Sequence, residues 1–215
     1  MAFVIPAVAK DKNLDVKQFA EDISMNGFLQ SLVTLISAPV VIGFILLFVK
    51  IRKGITIKQY LGFNNPRFTS IIKWSLVAIG FICFSDALTY FLNKPIVPDI
   101  MVDMYKSSYF PPLLLLDVII ITPVLEELFF RGFLFEGLRN SRFKVTGTII
   151  ITSLAWSLLH SQYDVYGIFS IFLSGLLLGY SRVKSNSIYA PIAIHMVGNS
   201  IASMELIVKL IYFQS

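Results

Sequence analysis

Charged residues are scarce in this sequence. They make up 14% of its 215 residues, while 56% are hydrophobic; an ordinary soluble domain carries about 25% charged residues. The apolar content exceeds what one water-soluble core of this length needs, and lipid is the solvent that accommodates the excess. Cysteine is nearly absent: Cys83 stands alone, which excludes an intramolecular disulfide and a cysteine metal cluster and leaves a buried structural thiol as the expectation. No H-E-x-x-H motif, internal repeat or low-complexity segment is present. Residues 1–12 lack a basic region followed by an apolar run and a small-residue cleavage site. A removable signal peptide is therefore not expected, and the first membrane helix is expected to direct insertion. The formal charge is +5, but the basic residues lie in short loops between apolar runs and not on one amphipathic face, which argues against a nucleic-acid partner.

A helix needs about 20 mainly apolar residues to cross the hydrocarbon. Six runs bounded by charge or turn residues come into consideration, at 28–49, 70–92, 111–138, 145–159, 166–180 and 188–211, the fourth and fifth being short for a crossing. The expected fold is all-α, a polytopic transmembrane helical bundle with about six membrane-spanning helices. Before the first run, Leu14, Phe19 and Ile23 alternate with Lys10, Lys12, Lys17, Glu21 and Asp22, a pattern that suits a helix lying at the membrane surface or a solvated linker. Gly175 and Gly179, four residues apart, would let a neighbouring helix approach closely.

Three charges fall close together in the middle of the third run, in the order Thr122-Pro123-Val124-Leu125-Glu126-Glu127-Leu128-Phe129-Phe130-Arg131-Gly132. A charge near the bilayer centre costs about 2.5–3.5 kcal/mol on insertion scales, so each needs a partner, a wet cavity or a function. Glu127 and Arg131 are an i,i+4 pair on one helix face, whereas Glu126 points about a quarter-turn away. One carboxylate can be neutralised and the other is left over. The two histidines of the chain also lie in apolar runs: Trp156 with His160, and His195 with Asn199, each form an i,i+4 pair. Counting along the helices puts His160 near the outer end of its run, Glu126 near mid-membrane and His195 nearer the opposite side, which weighs against one shared site.

These residue types suit hydrolysis. A carboxylate can deprotonate water, an imidazole can hold that water, and a second imidazole with an amide can donate to a developing oxyanion. Two histidines and a carboxylate could also complete an open zinc site, and Arg131 paired with both glutamates could simply fix helix packing.

The three polar sets, in this order on successive apolar runs, resemble the CPBP family, the membrane-embedded CAAX prenyl proteases and bacteriocin-processing or immunity proteins called Abi. Glu126, Glu127 and Arg131 match its E-E-x-x-x-R motif. Trp156 and His160 match the aromatic-x-x-x-His motif, with Trp where Phe is more usual, and His195 and Asn199 match H-x-x-x-N. The resemblance covers about residues 111–203. It implies an intramembrane endopeptidase in which Glu126 activates water with help from His160, His195 and Asn199 form the oxyanion hole, and Glu127, Arg131 and Trp156 support them. No cofactor is implied in that mechanism, although zinc is the alternative. The implied partners are membrane lipid and a peptide or protein substrate, and the implied location is a bacterial plasma membrane. The expected organisation is an interfacial segment at 1–26, two helices with their loops at 27–110 and a catalytic core at 111–215. A non-catalytic immunity or scaffold protein and a proton-coupled carrier are the competing functions.

Orientation follows from basic residues, which are enriched in cytoplasmic loops. Lys50, Arg52, Lys53, Lys58, Arg67, Lys73, Arg139, Arg142, Lys144, Arg182 and Lys184 fall on one side, and six others on the opposite side. The first set marks the cytoplasm and leaves both termini outside. A cysteine placed at Lys53 in a Cys83→Ser background is then expected to react with a membrane-impermeant maleimide in inverted vesicles only; labelling in intact cells would reverse the topology.

Overall fold

The protein is described by a computed structural model for residues 25–212. Most of the expected interfacial segment at 1–26 lies outside the described residues. Among the described residues every regular element is helical: α1 (Gly27–Ile51), α2 (Ile57–Leu61), α3 (Phe68–Phe91), α4 (Asp99–Lys106), a continuous helical run α5 over 111–138, α6 (Lys144–Leu158), α7 (Val165–Ser185) and α8 (Tyr189–Tyr212). Four of these, α1, α3, α7 and α8, are long and apolar enough to cross a membrane. The other two expected crossings differ from regular spans. In α5, π-helical turns at Asp117–Ile121 and Leu128–Leu134 interrupt the α-helix. The 15 residues of α6 rise about 22 Å, short of the roughly 30 Å hydrocarbon thickness. The fifth run, which looked short because charge begins at Arg182, extends to Ser185. It continues because the Arg182 side chain turns inward and donates from Nε to the Arg131 carbonyl at 3.2 Å, so this charge does not end the helix.

The bundle has its large apolar side chains outside and many small polar ones inside. Ile36, Val40, Phe44 and Phe48 of α1 and Phe68, Leu76, Phe84 and Phe91 of α3 are exposed, a surface that water would not tolerate and a bilayer solvates. Cys83 is exposed as well, contrary to the expected burial; a thiol behaves as a small hydrophobe and needs no shelter on a lipid-facing surface. Inside, Ser31, Thr148, Thr152, Ser153, Ser157 and Ser181 are buried. Hydroxyls on helices can satisfy themselves locally, as Thr152 does by donating to the Thr148 carbonyl at 2.8 Å, whereas Ser153 Oγ has no partner, and their small size lets backbones approach.

Helix α5 sits at the centre, touching α1, α2, α6, α7 and α8. Around it, α6 and α7 make the most intimate helix pair, through the glycines anticipated from their spacing. A Cβ added at Gly175 would lie 2.9 Å from Ser153 Cβ and 3.2 Å from Arg131 Nη2, and one at Gly179 would lie 3.0 Å from Ile149 Cγ2. The α6–α7 loop that carries His160 is pinned at its far end. There Asp164 caps α7 by accepting from Gly167 N–H at 2.8 Å, and Lys94 donates to its other oxygen at 2.7 Å. The Lys94 hydrogen bond, with the Gly167 N–H, holds this carboxyl below the usual aspartate range. At the opposite end Gly62, with φ of 75°, ends α2 in the left-handed conformation directly against the Arg182 guanidinium, where no Cβ fits.

Gly175→Ala is expected to destabilise the fold by about 1–3 kcal/mol through overpacking, lowering the melting temperature in detergent. Gly43→Ala in α1, with nothing near its added Cβ, is expected to leave the temperature unchanged or raise it.

Candidate functional site

The most deeply buried charges of the bundle belong to one turn of α5. Glu127 and Arg131 have no solvent exposure and are joined by Arg131 Nη1 donating to Glu127 Oε1 at 2.9 Å. Arg131 also donates from Nη2 to the Gly175 carbonyl of α7 at 3.2 Å, a contact that the missing side chain at 175 makes possible. Its guanidinium lies 4.7 Å from the centre of the Trp156 indole, a cation–π geometry that is most favourable where water is excluded. From α8, His195 Nδ1 reaches the same Glu127 Oε1 at 3.0 Å. A carboxylate oxygen accepts, so Nδ1 carries a proton and Nε2 is the outward nitrogen. This one carboxylate therefore binds α8 to α5, while Arg131 binds α5 to α7.

Glu126 does not join that pair. It is rotated toward α6, where Trp156 Nε1 donates to its Oε2 at 2.7 Å, and its side chain is 21% exposed where Glu127 is fully buried. His195 Nε2 lies 3.9 Å from the same oxygen, too far for a direct hydrogen bond but within reach once a substrate atom or a proton lies between them. His160, just beyond the end of α6, places Nδ1 3.0 Å from the Trp156 carbonyl. A backbone carbonyl only accepts, so Nδ1 donates there and Nε2 is left with a lone pair. The Trp156 ring is 5.2 Å from the rings of both His160 and His195, edge-on to each.

The structure thus gathers Glu126, Glu127, Arg131, Trp156, His160 and His195 around a single indole. Despite the depth mismatch counted along the helices, α6 ends at Leu158 and the loop after it holds His160 against the Trp156 ring that His195 also meets. Asn199 is on the same helix as His195, but its Nδ2 donates to the backbone carbonyl of Val118 at 2.7 Å. Among the buried polar groups that escaped the sequence reading, two lie next to these residues. Asp117, 2% exposed, accepts from the Thr122 hydroxyl at 2.9 Å, and its place in an apolar run was the available signal. The Gly175 carbonyl had no side-chain signature. Among the described residues no three His, Cys, Asp or Glu side chains converge on a position where a metal ion could be held.

Fold and site together define an integral membrane protein with a charge cluster buried among its helices. Residues 108–201, which contain all three motifs, match the family described as Rce1-like, type II CAAX prenyl endopeptidase, a match over less than half of the chain. An uncharacterized 24.3 kDa protein of Escherichia coli is 32% identical over 101 residues, which cover 45% of this chain and 46% of that protein. The chain thus matches less than half the length of that relative. No solved structure matches the chain significantly.

Removing one partner of a buried ion pair strands the other, at a cost of about 3–5 kcal/mol. Arg131→Met is expected to incur that loss, and Glu127→Gln with Arg131→Met to recover most of it. Thermal unfolding of the four-member cycle measures the coupling, and additive losses would show that the pair does not act as a unit.

Proposed function

We propose that the chain is an intramembrane endopeptidase that hydrolyses peptide bonds of a membrane-associated substrate with water activated by Glu126. The observation that carries this reading is the division of labour between adjacent glutamates. Glu127 is consumed by Arg131 and His195, while Glu126 is partly exposed and is oriented by one neutral donor, Trp156.

In this mechanism the Glu126 carboxylate takes a proton from water as the oxygen attacks the peptide carbonyl carbon. His160, whose Nε2 is an acceptor, holds the second hydrogen of that water. The electron pair of the C=O bond moves onto oxygen, and the proton on Glu126 passes to the amide nitrogen as the C–N bond breaks. Oxyanion stabilisation is assigned to the α8 side, to His195 through Nε2 with Asn199 beside it. A protonated His195 donates through both ring nitrogens, and with it the cluster of Glu126, Glu127, Arg131 and His195 sums to zero charge. Trp156, Glu127 and Arg131 hold these groups in place.

The same reading extends to the rest of the chain. Residues 111–215 act as the catalytic core and 27–110 as the preceding membrane helices and loops. All six helical runs lie within the bilayer, the basic loops face the cytoplasm, and the membrane is a bacterial plasma membrane. Peptide maturation or bacteriocin self-immunity is the physiological setting, with membrane lipid and a peptide substrate as partners and no nucleic acid.

The test is cleavage of a peptide library by purified wild type and Glu126→Gln of equal thermal stability, followed by mass spectrometry with and without a zinc chelator. Wild-type cleavage that survives chelation and falls by at least about 100-fold in Glu126→Gln is the expected outcome. Loss on chelation would favour a zinc-dependent CAAX-type protease, and unchanged cleavage by Glu126→Gln would remove Glu126 as the base. A wild type that cuts neither the library nor native membrane peptides would leave the scaffold function standing.

A further inference from the structure

Helix α5 changes register shortly before its two glutamates. In the π-helical turn at Asp117–Ile121 the N–H of Thr122 donates to the Asp117 carbonyl, five residues back instead of four. In this register the next carbonyl, that of Val118, would take its hydrogen from the N–H of residue 123. That residue is Pro123, which has no N–H to give. Pro123 is fully buried, in a bundle surrounded by lipid, where bulk water is not at hand to replace the missing donor and an unsatisfied peptide group is costly. The replacement comes from 81 residues further along the chain, where Asn199 Nδ2 donates to Val118 O at 2.7 Å. Beside it the Thr122 hydroxyl donates to Asp117 Oδ1 at 2.9 Å, so side chains satisfy both groups at the register change.

We infer that Asn199 is a positioning residue that substitutes for the helical hydrogen bond deleted by Pro123 and thereby sets the rotation of α5 for Glu126 and Glu127. Helix α8 grips α5 at two points, Asn199 on Val118 and His195 on Glu127. Those points lie nine positions apart in α5 and four apart in α8, and Glu126 is between them. Release of the upper grip frees the π turn to change register, and a shift of one residue rotates Glu126 by about 100°, away from Trp156. The catalytic consequence rests on the peptidase reading above and narrows it. Asn199 acts through Val118 with one Nδ2 hydrogen, and the second hydrogen remains for the oxyanion beside His195.

Pro123 and Asn199 are therefore energetically coupled, which a double-mutant cycle reads directly. Pro123→Ala returns an N–H to the helix beside the Val118 carbonyl. In the chain with Pro123, Asn199→Ala is expected to lower the melting temperature and to reduce kcat by about tenfold at little-changed KM, assayed well below the melting transition. In the Pro123→Ala chain both losses are expected to shrink to less than half on a logarithmic scale. Equal kcat losses in the two backgrounds would overturn the inference and leave Asn199 to the oxyanion alone. A third readout does not require Pro123→Ala to fold: with valine carrying a ¹³C carbonyl, Asn199→Ala shifts one carbonyl band to higher frequency, and an unshifted spectrum would refute the clamp. The melting and infrared readouts need no turnover, so a chain that cuts no peptide would defeat the peptidase reading while the clamp was still decided.

Discussion

The constraint on which this structure depends is the ion pair of Glu127 and Arg131, held without solvent exposure in a bundle whose outer surface is apolar. A charged pair in such a place needs further hydrogen-bond partners, and the neighbouring helices supply several of them, although Glu127 Oε2 and Arg131 Nε stay without one. Helix α7 lacks a side chain at Gly175 and so brings its carbonyl to Arg131. Helix α6 turns the face of Trp156 toward the guanidinium, and α8 brings His195 to the carboxylate. Close approach of α6 to α7 and the central position of α5 are consequences of satisfying one arginine and one glutamate.

That arrangement also separates two chemically identical neighbours. Residues 126 and 127 are adjacent carboxylates about 100° apart around a helix. The inward one takes donors from Arg131 and His195 on one oxygen and becomes part of the scaffold. The other keeps partial exposure and a single short hydrogen bond to an indole. Burial and partner count decide which glutamate is left chemically free, and the indole that orients it also contacts both imidazoles. Trp where a Phe is more usual thus has a physical consequence, since only Trp brings an N–H to the carboxylate.

Helix α5 is deformed where it carries the chemistry. Pro123 and the π turns on either side of the glutamates break the regular ladder, and the bundle compensates with side chains from another helix. Such irregular backbone is tolerated at membrane depth only when it is enclosed by protein, which is the position of α5, with five helices around it.

Several features are determined by the sequence alone because they are local or compositional. The scarcity of charge and the long apolar runs require lipid. The i,i+4 spacing joins Glu127 to Arg131 and brings Trp156 against His160 whatever the tertiary fold. The quarter-turn offset of Glu126 leaves it out of that pair, and the spacing of Gly175 and Gly179 marks a close helix contact. Tertiary structure decided what depends on residues far apart in the chain. It set the meeting of His160 and His195 on one indole, the capture of Glu127 by His195 and the facing of Glu126 by Trp156. It also turned Arg182 inward, so that α7 runs on beyond Tyr180, and left Cys83 on the lipid-facing surface. Asn199 shows the division most clearly. Its place on one face with His195 is a matter of helical period, but its partner is a backbone carbonyl made available by a proline in another helix, and no periodicity within either helix encodes that meeting.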